Sequence, residues 1–166
     1  FNAAIGSGTD PARMVRDFDT ISVCLSKGLG APVGSVIVGD ADTITRSRRW
    51  RKTFGGGMRQ SGIIAAAGVY ALENNIERLS KDHIRASRLA ESINAIDSFS
   101  VEMEGVQSNM VYVECIKESA NEVARKLAVL GIDLSVETDS IVRAVTHLHV
   151  TDEDIDTAIE AFEKLQ

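Results

Sequence analysis

The sequence predicts an α/β chain in two units, residues 1–96 followed by a smaller α+β unit over 97–166. Three observations carry this expectation. Two short apolar runs, Thr20 to Leu25 and Val33 to Val38, flank a connection rich in glycine that holds one of the two prolines. From Ile76 to Ile93 the apolar or near-apolar residues recur at helical spacing. Beyond Ile96 the chain turns to short alternating runs around capped helices, so the boundary falls near Ala95 to Ser98.

Phe1 to Gly8 reads as a helix tail ending in glycine. Asp10 followed by Pro11 is an N-cap with proline at the first helical position, opening a short helix to about Phe18. Ile21, Val23 and Leu25 then alternate with Ser22 and Cys24 as a first strand, and Val33 to Val38 forms a second, bounded by Gly39. Asp40 or Asp42 can cap a helix to about Lys52, carrying Arg46, Arg48, Arg49, Arg51 and Lys52 around Trp50. After Gly55-Gly56-Gly57 comes an Ala/Gly-rich helix from Ser61 to about Glu73. Nine of the thirteen glycines fall between Gly28 and Gly68, marking the segment where backbone must approach a ligand or another chain closely.

From Ile76 the apolar or near-apolar positions step through Leu79, His83, Ala86, Ala90 and Ile93 as one helix face, with His83 a packed residue on it. Strands are expected at Phe99 to Met103, Met110 to Cys115, Ile132 to Val136 and Ile141 to Val145. Ser119 and Glu122 give a capping box to a helix from about Ala120 to Leu130. Thr151 caps the last helix, whose first turn holds Asp152, Glu153 and Asp154, charges of the sign the helix dipole favours there.

Composition removes several function classes. The chain has 166 residues, 44% hydrophobic and 25% charged, with a net charge of −6. Such a balance fits a globular protein, and no apolar run approaches the roughly 18–20 residues that span a bilayer. The acidic total argues against nucleic acid as partner. The basic run Arg46 to Lys52 is the local exception, read as a solvated or interface face. Cys24 and Cys115 are expected as two reduced, buried thiols in a cytoplasmic protein, too few for a disulfide framework. His147 and His149 alternate on an extended stretch without an evident third ligand, so no metal site is expected.

One residue organises the chemistry. Lys27 stands alone in Cys24-Leu25-Ser26-Lys27-Gly28-Leu29-Gly30-Ala31-Pro32, between the two apolar runs. Rigid strands on both sides would hold its amine above the loop, which imine formation with a carbonyl requires. The ammonium must shed its proton to attack, and burial or a neighbouring cation lowers its reference value of about 10.4. Against this stands the plain alternative of a solvated loop lysine.

Three stretches narrow the choice. They are Ser-Lys-Gly-Leu-Gly-Ala-Pro-Val-Gly-Ser (26–35), Arg-Trp-Arg-Lys-Thr-Phe-Gly-Gly-Gly-Met-Arg-Gln (49–60) and Arg-Ala-Val-Thr-His-Leu (143–148). In this order they resemble the low-specificity L-threonine aldolases, pyridoxal-phosphate enzymes of fold type I, the aspartate aminotransferase fold. The resemblance covers essentially the whole chain. It implies a fold in which residues 1–96 form the carboxyl-terminal strands and helices of the cofactor-binding large domain and residues 97–166 the small α+β domain. The activity it implies is cleavage of L-threonine and L-allo-threonine to glycine and acetaldehyde, in a homotetramer.

Residue by residue, the resemblance makes Lys27 the catalytic lysine that forms the Schiff base with pyridoxal 5'-phosphate and places Ser26 beside the cofactor phosphate. It aligns Lys52 and Arg59 with basic residues near that phosphate and the adjacent subunit's site. Arg143 matches the arginine that takes the carboxylate of a β-hydroxy-α-amino acid, a role its planar fork suits. His147 is a candidate for the base that takes the hydroxyl proton, beside upstream residues or water. The same resemblance implies that an Asp-Gly-Ala-Arg motif lies just ahead of Phe1, with a Gly-Thr phosphate loop and a ring-stacking histidine further upstream. The chain would then be the carboxyl-terminal half of such an enzyme. His149 departs from the acidic residue common after Thr-His-Leu. Two other readings stay open: an inactive truncated or partner subunit, and a different fold-type-I lyase such as a β-eliminating one.

Overall fold

A computed structural model describes residues 1–166, which divide into two units. The first comprises Phe1 and Ala3–Arg78, the second Asn2 and Leu79–Gln166.

In the first unit, α1 (Asn2–Ser7) ends at Gly8, and α2 (Pro11–Val15) starts where the Asp10 carboxylate accepts from the Ala12 amide at 2.7 Å. The helix α2 is shorter than expected, ending at Val15. Strands β1 (Thr20–Cys24) and β2 (Ser35–Gly39) pair antiparallel as a two-stranded ribbon, Thr20 opposite Gly39 and Cys24 opposite Ser35. The second strand starts two residues later than the apolar run suggests. Pro32 offers no amide to a ladder, and Gly34 turns at φ +112°, a conformation closed to other residues without strain.

Of the two candidate caps, Asp40 opens α3 (Ala41–Thr53), accepting from the Thr43 amide at 2.7 Å. No residue of α3 is buried, and its basic run is solvated. Trp50 and Phe54 stack on its surface with ring centroids 5.6 Å apart. After the glycine run comes α4 (Gly62–Asn74), which buries only Gly68 and Ala71. The apolar residues buried in this unit are few: Ala4, Leu25, Leu29, Ala31 and Ala71.

The second unit is built differently. Helix α5 (Leu79–Asn94), β3 (Phe99–Ser100), β4 (Met110–Cys115), α6 (Ala120–Val129), β5 (Ser135–Val136), β6 (Ile141–Val145) and α7 (Asp152–Glu163) succeed one another in that order. The four strands form an antiparallel sheet in the order β3-β4-β6-β5. Strict alternation sends Val111, Val113, Cys115, Val142 and Ala144 into the core and Tyr112 and Glu114 outward. The buried side meets Leu89, Ile93, Val123, Leu127, Ile155 and Phe162 from the helices. Phe162 meets Phe99 edge to face at 5.0 Å, a geometry aromatic quadrupoles favour.

The observed division falls at Arg78/Leu79 and not near residue 96. Helix α5 buries its stripe of Ala86, Leu89, Ala90 and Ile93 against β3, β4 and α7, so packing assigns it to the second unit. The expected strand from Phe99 to Met103 stops at Ser100, giving way to a 3₁₀ turn at Met103–Gly105. The run Ile132 to Val136 pairs only over Ser135–Val136. Ser119 caps α6 by accepting from the Glu122 amide at 3.3 Å, while its own hydroxyl donates to the Glu122 carboxylate. The reciprocal capping box is at α7, between Thr151 and Asp154.

Candidate active site

Lys27 lies in the connection of the β1–β2 ribbon, and the local hydrogen bonds explain its shape. The Leu25 amide donates to the Gly34 carbonyl at 3.0 Å and the Ala31 amide to the Leu25 carbonyl at 3.0 Å, which extends the ribbon into the loop. The Gly30 amide closes a turn on the Lys27 carbonyl at 2.8 Å. Leu25, Leu29 and Ala31 turn inward, with Leu29 only 2% exposed, while Ser26 and Lys27 between them face outward. An apolar underside thus fixes the loop while the amine stays accessible, and no ion pair engages it.

Two contacts from α4 tighten the underside. Gly68 packs so closely that a Cβ there would stand 3.1 Å from Leu25 Cδ1. Just beyond the helix, Asn75 Nδ2 donates to the Leu29 carbonyl at 2.7 Å. Cys24 and Ser26 approach on the outer side, Sγ to Oγ 3.5 Å. That hydrogen bond from Ser26 is the main cause holding the Cys24 thiol below its ordinary value, with the charge of Lys27 a smaller contribution. Cys24 is therefore partly exposed and electropositive in setting, not buried as expected; Cys115 is buried, and burial pushes its thiol up.

Lys52 lies in the last turn of α3, and its side chain lies along the glycine run. A Cβ on Gly57 would come within 2.9 Å of Lys52 Cδ and 3.4 Å of Nζ, so this glycine leaves room for the lysine. Arg59 comes next, in the exposed turn before α4, beside Gln60, whose φ is +49°. Ser26 and Lys27 share one loop, and Lys52 and Arg59 flank another in the same unit.

Arg143 belongs to the second unit, on β6, opposite Tyr112 of β4 and Ser135 of β5. It projects from the sheet face away from the core. Its Nη1 pairs with Glu137 Oε1 at 3.2 Å, and its Nε is buried without a hydrogen-bond partner. A buried N–H lacking an acceptor costs about 1–3 kcal/mol. Beyond β6, His147 accepts from the His149 amide at Nδ1, 3.3 Å, which in the neutral ring puts the proton on Nε2. The two histidine rings meet edge to face, and no group of three or more His, Cys, Asp or Glu gathers anywhere that could hold a metal. His83 is half-buried and hydrogen-bonded to Asn2 Oδ1 at 2.9 Å, the packed residue its helix stripe suggests.

Asn75, Gly57 and Glu137 are the participants the sequence did not disclose. Asn75 ends an Ala/Gly-rich helix with nothing local to mark a partner 46 positions earlier. Glu137 meets Arg143 through strand register, which no linear pattern carries.

An exposed, unpaired amine on an anchored loop and an arginine short of an acceptor fit a cofactor aldehyde and an amino-acid carboxylate respectively. Comparison with known proteins gives the class. Residues 1–116 match the model of the beta-eliminating lyase family, and the chain belongs to that family. Its fold is a partial fold type I, the architecture of pyridoxal-phosphate enzymes. A solved candidate L-allo-threonine aldolase of Listeria monocytogenes superposes with a TM-score of 0.81 at 19% identity, over 99% of this chain and 49% of that one. Serine palmitoyltransferase of Sphingomonas wittichii superposes at 0.67 and 15% identity, over 92% of this chain and 41% of that one.

Nearer in sequence are two curated relatives. The low specificity L-threonine aldolase of Escherichia coli K12 is 41% identical over 93% of this chain and 45% of its own length. Low-specificity L-threonine aldolase 1 of Arabidopsis thaliana is 39% identical over 99% of this chain and 47% of its own. The chain spans about half the length of these relatives.

Proposed function

We propose that this chain carries the covalent part of a pyridoxal-phosphate aldehyde-lyase that cleaves L-threonine and L-allo-threonine to glycine and acetaldehyde. The observation that carries the reading is the Lys27 ammonium, exposed and unpaired on a loop whose underside is buried. The names of the relatives support the substrate.

Lys27 would attach the cofactor through its amine, which acts as nucleophile once deprotonated. Ser26, Lys52 and Arg59 would hold the phosphate, two by charge and one by its hydroxyl. Bound there, pyridoxal phosphate supplies an electron-poor ring that accepts the electron pair of a bond broken at the substrate Cα. Arg143 would take the substrate carboxylate. By fixing it, the guanidinium also sets which Cα bond is aligned for cleavage, so it governs reaction choice as well as affinity. With its Nδ1 accepting from the His149 amide, a neutral His147 carries its ring proton on Nε2, so it would donate to the β-hydroxyl oxygen. The base that takes the hydroxyl proton would be an upstream residue or water.

We place the enzyme in the cytoplasm as a homotetramer. Two free cysteines support a reducing compartment. Ile63, 81% exposed, and Phe54, 80% exposed, support burial against further copies.

The test is reduction of the chain with borohydride in the presence of pyridoxal phosphate, and then peptide mapping. A phosphopyridoxyl group concentrated on Lys27 is the expected result. Labelling spread evenly over Lys27, Lys52, Lys81 and Lys117 would sink the assignment. With the full enzyme, glycine and acetaldehyde are the expected products; pyruvate and ammonia would point to β-elimination.

A further inference from the structure

The environment of Arg143 assigns a role to the carboxylate beside it. Glu137 begins the connection between β5 and β6, where its own amide donates to the Ile141 carbonyl at 2.9 Å. The next residue stiffens the turn: Thr138 Oγ1 accepts from the Ile141 amide at 3.1 Å and from the Ser140 amide at 3.3 Å. The carboxylate is thus carried on a hairpin turn fixed by backbone hydrogen bonds, not on a free loop. Its Oε1 stands 3.2 Å from Arg143 Nη1. Both side chains are about a third exposed, so the pair contributes little to stability as an ion pair. Its effect is geometric: with Nη1 anchored, the planar fork cannot turn freely about its stem.

Of the three guanidinium nitrogens, Nη1 is engaged and Nε has no acceptor. A second carboxylate therefore finds its two-point partner along the edge formed by Nε and Nη2. We propose that Glu137 is a positioning residue for the substrate carboxylate, holding Arg143 by Nη1 so that the Nε–Nη2 edge receives it. This rests on the reading of Arg143 as the carboxylate-binding residue.

The test compares L-threonine with L-threoninamide, which lacks the anionic carboxylate, on the full enzyme loaded with cofactor. Glu137→Ala should lower the ratio of their kcat/KM values about 3- to 10-fold, chiefly through KM for L-threonine. Glu137→Gln, which keeps an oxygen acceptor, should fall between it and the wild type. A merely structural role would weaken both substrates alike and leave the ratio unchanged, which would overturn the inference. Arg143→Ala measured in parallel separates the failures. If it collapses the ratio while Glu137→Ala does not, only the positioning role is lost; if neither moves it, the carboxylate reading of Arg143 fails as well. A readout without turnover is nitrogen NMR of the chain itself. The two Nη signals of Arg143 should be distinct in the wild type and merge in Glu137→Ala, and signals identical in both proteins would overturn the proposal.

Discussion

Asn75 reaches back across 46 positions to donate a hydrogen bond, 2.7 Å long, to the carbonyl oxygen of Leu29, two residues past the lysine of the hairpin loop. That carbonyl belongs to a residue almost wholly buried, so it has no ready replacement from water. Asn75→Ala should destabilise the first unit by about 1–2 kcal/mol, and Asn75→Asp by more, since it sets a charged acceptor against an acceptor. Urea unfolding monitored through the fluorescence of Trp50 measures both. Attachment of pyridoxal phosphate at Lys27 should slow in the same order. An Asp variant as stable as the wild type would remove this contact from the forces that hold the loop.

Gly57→Ala tests the position of Lys52. The new methyl would stand 2.9 Å from a flexible side chain and not from backbone, so folding stability should change by less than about 0.5 kcal/mol. The lysine must nonetheless move. Cofactor affinity should drop roughly 3- to 10-fold, and Lys52→Ala combined with Gly57→Ala should be no weaker than Lys52→Ala alone, as expected for coupled neighbours. Equilibrium titration with pyridoxal phosphate gives all four values; strictly additive losses would show that the two residues act separately.

Acid should destabilise the second unit in two stages. Burial holds the His83 imidazole below its ordinary value, so the unfolded chain takes up a proton first and stability falls as the pH drops below about 6.5. The Asp152 carboxyl is held down by its hydrogen bond from Arg85, and Asp154 by the Thr151 amide. Depressed carboxylates contribute stability above their unfolded value of about 3.9, and that contribution disappears as the pH falls through their lower folded values. Denaturation midpoints by circular dichroism between pH 8 and pH 2 check this. His83→Gln should abolish the upper stage and Asp152→Asn should shrink the lower.

Phe162→Ala should cost about 3–5 kcal/mol, because the ring is fully buried and loses its edge-to-face contact with Phe99. Thermal unfolding monitored by far-ultraviolet dichroism measures it. A loss below about 1 kcal/mol would mean that the ring is not the keystone of this core.

Much of this arrangement can be read from the residues in line. Local chemistry announces itself: Asp10-Pro11, Asp40 and Thr151 each sit where a helix begins, because a cap needs only neighbours. Alternation in Met110 to Cys115 and Ile141 to Val145 gives both strands their bounds, since a sheet with one wet face repeats every second residue. The lysine loop is legible from its glycines and proline. Whatever depends on distance along the chain escapes. The stripe on α5 shows that the helix buries one face but not against which unit, so the division is misplaced toward residue 96. The clasp of Glu137 on Arg143 arises from the pairing of β5 with β6, and the support under Leu29 from where α4 ends.

The contiguous apolar core runs from Ala86 to Phe162, whereas the hairpin bearing Lys27 rests on a handful of small residues and a few backbone bonds. The candidate lysine and the larger apolar core thus sit on different stretches of the polypeptide. On warming, the hairpin bearing Lys27 should lose its structure while the sheet bearing Arg143 still stands, so that Trp50 fluorescence changes ahead of the far-ultraviolet dichroism. Cooling would then restore the hairpin quickly, because only a short ribbon has to find its register again.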